Sequence, residues 1–114
     1  MKILGEQIAF RENIAFSLRR YLVWWLILVI TMAYDIATTS AFVAKYGSDA
    51  EANTITRWLM TAVGGDLGNL AGKGLQLVAV IGFVGLHRRL GNIFLLFVIL
   101  LNCWAVVINS LSLA

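Results

Sequence analysis

From Leu90 to Ala114 the chain contains no charged residue, and from Tyr21 to Ala44 it contains one, Asp35. Runs of this length and polarity have little choice of fold. At about 1.5 Å of rise per helical residue, each reaches across a hydrocarbon slab of about 30 Å. Inside such a slab only helices and closed barrels satisfy every backbone N–H and C=O. A third run, Leu67–Leu86, is interrupted by Lys73 near its start. The composition agrees: 61% of residues are hydrophobic and 13% charged, where a soluble domain has roughly half and a quarter. A chain of 114 residues has too little interior to hide that much apolar surface from water. The expectation is an all-α integral membrane bundle of three transmembrane helices, one domain over 1–114, with spans at 21–44, 67–86 and 90–113. Nucleic-acid binders, disulfide scaffolds and disordered linkers are excluded.

The charges flank the spans. Lys2, Arg11, Arg19 and Arg20 precede the first run, and His87-Arg88-Arg89 separates the second from the third. By the positive-inside rule both groups belong in the cytoplasm, with Tyr46–Asp66 and the C-terminus outside, in a bacterial or phage-encoded inner membrane. His87 reads as part of this topology signal. Residues 1–20, with Ile3, Leu4, Ile8, Ala15 and Leu18 among charges, read as an N-terminal interfacial segment and an uncleaved anchor, because the following run is too long for a signal peptide and no Ala-x-Ala site ends it. Tyr21, Trp24 and Trp25 fit an aromatic belt.

Between spans one and two, Ser48 and Glu51 fit a capping box. Ile55, Trp58, Leu59 and Ala62 then share one helical face. This predicts a short amphipathic surface helix over 49–63, lying flat on the outer surface with Trp58 as anchor. Gly64, Gly68 and Gly72 follow in a small-xxx-small series, which predicts a helix-packing face. Cys103, the one cysteine, reads as a small buried hydrophobe. No metal-ligand spacing and no phosphate-cradling glycine loop occurs, so neither a metal nor a cofactor is expected.

Depth places the polar residues of the spans together. Asp35 lies roughly 13 Å below the outer end of span one, Lys73 roughly 10 Å below that of span two, and Asn102 roughly 12 Å below that of span three. Thr31, Asp35, Thr38, Thr39 and Phe42 share a side of span one; Asn69, Lys73 and Gln76 share a side of span two. A charge deep in lipid costs about 2.5–3.5 kcal/mol on insertion scales, so it should face protein and find a partner. The expected intramembrane cluster is an Asp35–Lys73 pair, with Thr38, Thr39, Gln76 and Asn102 around it and Glu51 and Asn53 as an outer-surface roof. Arg57 and Asp66 are expected to be solvated. Asn109 is the other main polar interruption of span three.

Asp35-Ile36-Ala37-Thr38-Thr39, then Glu51-Ala52-Asn53, then Lys73 resembles a pattern found in small prokaryotic multi-span membrane proteins of unknown function. These carry Asp-x-x-Thr-Thr followed by Glu-x-Asn-Pro. The likeness covers about residues 21–113 and departs at Thr54, which stands where that group usually has proline. It implies a site at Asp35, Thr39, Glu51, Asn53 and Lys73 without assigning its task.

Three functional readings follow. The first is a structural or accessory subunit of a homo-oligomer or larger membrane complex, with the ion pair locking the helices and lipid as surroundings. The second is a proton- or ion-coupled transporter or channel component using Asp35. The third is a phage holin-like pore, from which the chain departs in its cytoplasmic N-terminus and lack of a charged tail. An enzyme is not expected, since no Ser/His/Asp or Cys/His arrangement can be assembled.

Overall fold

The computed structural model describes residues 2–3 and 6–114. Of the expected interfacial segment, residues 1, 4 and 5 lie outside the described residues, Leu4 among them. Lys2–Ile3 (β1) pairs antiparallel with Glu6–Gln7 (β2), and five α-helices follow: α1 (Phe10–Arg20), α2 (Leu22–Tyr46), α3 (Thr54–Val63), α4 (Gly65–Leu86) and α5 (Arg88–Leu113). Helices α2, α4 and α5 are each long and apolar enough to cross a membrane. They run two residues beyond the expected spans at Tyr46, Gly65 and Arg88, begin one residue later at Leu22, and end as expected at Leu86 and Leu113.

The three spans run up, down and up. Asn69 of α4 bonds to Ile36 O and Ser40 Oγ of α2, and Lys73, one turn further along α4, meets Asp35, which makes α2 and α4 antiparallel. Tyr46 Oη donates to Ser112 O at 2.7 Å, and Asn109 reaches Thr39, so α2 and α5 are parallel. Leu28, Val80, Val84 and Leu95 form the solid half of the core, joined by Trp25, Met32, Val98 and Ile99. On the outside, Val23 (66% exposed), Val78 (66%) and Leu100 (58%) stand uncovered. Large apolar side chains in such number on an outer surface belong in hydrocarbon, and the chain is a membrane protein.

Helix α1 is held beneath this bundle by buried polar residues, with Ile14 packed on the core and the Phe10 ring on Gly85. Ser17 Oγ, fully buried, donates to Asn92 Oδ1 and accepts from Trp25 Nε1. Asn13 Nδ2 donates to Gly85 O. Glu12 sits in the first turn of α1 and Arg19 and Arg20 in the last, the arrangement that suits the helix dipole. His87 does more than mark topology: its Nδ1 accepts from Leu90 N and caps α5 after a single-residue turn.

The largest difference from expectation concerns α3. It starts at Thr54 rather than 49, and the Ser48–Glu51 capping box does not form. Ser48–Ala50 is instead a 3-10 turn, and Asn53 supplies the cap, its Oδ1 accepting from Ile55 N and Thr56 N. Asn53 wins because the backbone is extended at Glu51 and at Asn53 itself, the conformation a helix N-cap requires. Nor does α3 lie flat. Gly64, at φ +101°, reverses the chain, and α3 folds back beside α4: Met60 packs on Gly68 and Thr56 on Gly72. The first turn of α3 therefore stands level with Lys73.

This also corrects the glycine series. Gly68 and Gly72 are a packing face, but its occupant is the chain's own α3, and Gly64 is a turn residue with nothing packed on it. Cys103, expected to be buried, is exposed.

Candidate functional site

Because α3 and the segment before it descend alongside α4, they leave a cleft of about 500 Å³ against α5. The floor is the ion pair. Lys73 Nζ pairs with Asp35 Oδ2 and donates to Asn102 Oδ1 at 3.1 Å. Thr39 Oγ1 donates to Asp35 Oδ1 at 3.1 Å, and Asn109 Nδ2 donates in turn to Thr39 Oγ1 at 3.0 Å. The Asp35 side chain is 4% exposed and that of Lys73 15%. The i, i+4 spacing of Asp35 and Thr39 puts both on the same face of α2, and the i, i+7 spacing of Asn102 and Asn109 does so on α5. Each span thus contributes a polar strip at the same height.

Burial of two opposite charges is tolerable because each also has hydrogen bonds. The walls add Glu51, Asn53 and Thr56 on one side and Trp104, Ile108 and Ser112 on the other. Glu51 Oε1 accepts from Asn53 N at 3.1 Å, and Arg57, expected to be solvated, donates from Nη1 to Glu51 O at 3.2 Å. Asp66 is exposed, as expected. The lining thus holds two carboxylates, Asp35 and Glu51, and one cation, Lys73, with Arg57 tied to the wall through the Glu51 carbonyl.

Two buried polar atoms in the lining have no protein partner: Asn102 Nδ2, on a residue 1% exposed, and Gln76 Oε1. One is a donor and the other an acceptor, and each such group stranded away from water costs roughly 1–3 kcal/mol. Below them Leu28, Val80, Val84 and Leu95 close the bundle.

The structure brings together Asp35, Thr39, Lys73, Asn102, Glu51, Asn53 and Gln76 in the lining of the cleft. It places others differently. Thr38 does not serve the carboxylate: its hydroxyl donates to Tyr34 O and accepts from Asn109 Nδ2, because one step round the helix turns it from Asp35 toward α5. Gln76 bonds to neither member of the pair. Glu51 and Asn53 form a side wall rather than a roof, since α3 descends. Thr31 bonds only to Leu28 O on its own helix. The role of Asn109 as the link from α5 to Thr39 was not anticipated, although its seven-residue spacing from Asn102 signals a shared face. Among the described residues no cluster of metal-ligating side chains occurs. No family model, curated protein or solved structure matches the chain.

Proposed function

We propose that the protein is a solute-binding component of a membrane carrier, taking a small, polar, hydrogen-bonding molecule into the cleft between α3 and α5. The observation that carries this reading is the unpartnered pair of Asn102 Nδ2 and Gln76 Oε1 in a polar lining. A solute offering one acceptor and one donor satisfies both, removing the cost of two stranded polar groups. The reading involves binding rather than bond-making. The closed apolar core below the cleft favours a carrier over a holin-like pore. The likeness to the Asp-x-x-Thr-Thr proteins is part of the proposal and would place the same site in that group.

A structural or accessory role is the second reading. It is favoured by the way Asp35, Lys73 and Asn102 tie all three spans together. Its other support, a glycine face free for a second subunit, is weakened because α3 covers Gly68 and Gly72.

Trp104 edges the cleft and reports on it. Protein in lipid nanodiscs is titrated with glycerol, urea and glycine while tryptophan emission is followed. A saturable change with at least one of them, absent in Trp104→Phe and weakened about ten-fold or more in Asn102→Leu, supports solute binding; about 1.4 kcal/mol corresponds to ten-fold. No saturable change with any of the three ends this reading and leaves the structural one.

A further inference from the structure

At the α1 end of the bundle, well away from the polar cleft, lies a second cavity of about 400 Å³ between α1, α2 and the start of α5. Its chemistry is different. Arg88 and Arg89 stand at its rim, and its lining contains no carboxylate. Arg20 lies close by, over the Tyr21 ring at 5.4 Å. Arg88 is held in place: Nε donates to Asn13 Oδ1 at 3.3 Å and the guanidinium sits over the Phe16 ring at 4.4 Å. That uses one of its five N–H donors. Among the described residues the Asp35–Lys73 pair is the one ion pair present, so these arginines have no acidic partner among those residues.

Below the rim the lining turns apolar. Trp24, Ile93 and Leu96 form it, and Ile93 (55% exposed) and Leu96 (39%) face outward on a membrane-spanning helix. Arg89 and Leu96 are two helical turns apart, roughly 10 Å of rise. A cationic, aromatic-edged mouth leading within that distance to an open apolar track matches an amphiphile with an anionic head. Neither a free anion nor an apolar molecule satisfies both parts. We propose that this cavity binds an anionic phospholipid, its phosphate on Arg88 and Arg89 and one acyl chain along Ile93 and Leu96. The site is independent of the solute cleft, and either can fail alone.

The test is quenching of tryptophan emission by brominated phosphatidylglycerol and brominated phosphatidylcholine in mixed vesicles, which gives the relative affinity for the two lipids. Wild type is expected to prefer phosphatidylglycerol by at least about five-fold, since one arginine near an anionic headgroup is worth about that factor. Arg88→Gln also removes the bond to Asn13, so Arg89→Gln is the cleaner variant; it should lose about five-fold of the preference. Arg11→Gln, which removes a charge outside the cavity, should lose little. Equal affinity for the two lipids, an unchanged preference in Arg89→Gln, or an equal loss in Arg11→Gln overturns the proposal. Millimolar inorganic phosphate should leave the quenching unaltered; release of the lipid by phosphate would show a free-anion site and also overturn it.

Discussion

Replacing Gly68 by alanine tests whether α3 lies against α4. A methyl group at position 68 would fall 2.6 Å from the Leu59 carbonyl carbon and nearer still to the Met60 backbone, where ordinary contact is about 3.5–4.0 Å. Backbone atoms cannot rotate aside, so α3 must retreat by roughly 1 Å. Overpacking of this kind costs about 1–3 kcal/mol, and the absence of a flexible neighbour puts Gly68 at the upper end. Alanine regains about 1 kcal/mol of helix propensity, leaving a net loss of about 2 kcal/mol. Two neighbours calibrate the result. At Gly72 the collision is with the Thr56 side chain, its Oγ1 at 2.6 Å, and rotation of that hydroxyl brings the net effect near zero. At Gly74 nothing lies within 4 Å, and alanine should gain up to about 1 kcal/mol. Equilibrium unfolding in mixed micelles, followed by circular dichroism, gives the order Gly74→Ala, Gly72→Ala, Gly68→Ala from most to least stable. A Gly68→Ala protein as stable as Gly74→Ala would refute the folded-back helix.

Other substitutions probe the remaining joints by the same unfolding assay. Asn53→Ala removes the oxygen that accepts from Ile55 N and Thr56 N and should cost about 1 kcal/mol. Thr54→Pro should be neutral or stabilising by up to about 1 kcal/mol, because Thr54 is the first residue of α3, the position that welcomes proline. Ser17→Ala strands Trp25 Nε1 and Asn92 Oδ1 and should lower stability by about 2–3 kcal/mol. Asn109→Leu breaks the α5 link to Thr38 and Thr39 and should cost about 1 kcal/mol, within the range for interhelical hydrogen bonds in membranes.

The spans were legible because an uncharged run of that length has one stable solution in lipid. The Asp35–Lys73–Asn102 level was legible because helix rise converts sequence position into depth. The course of α3 was not. Ile55 and Trp58 are exposed and mark an apolar face, but a short amphipathic helix has such a face whether it lies along a membrane surface or beside another helix. The four-residue spacing of glycines announces a close approach without naming the partner. Only the left-handed backbone of Gly64 settles that the partner is the preceding helix. Ser48 and Asn53 both have the chemistry of an N-cap, and the choice between them depends on where the chain becomes extended. The polar seat of α1 was missed because Asn13 and Ser17 look like the solvent face of an interfacial helix, although their i, i+4 spacing is that of a common face.

The ion pair at the cleft floor is tested most directly by a double-mutant cycle on Asp35→Asn and Lys73→Met, read as unfolding free energy. Lys73→Met alone leaves a buried carboxylate supported chiefly by Thr39 and should cost about 3–5 kcal/mol. With Asp35→Asn also present no charge is stranded, and the double variant should be more stable than the sum of the singles by about 2 kcal/mol. Single effects that add to within about 0.5 kcal/mol would contradict the pairing on which the cleft is built.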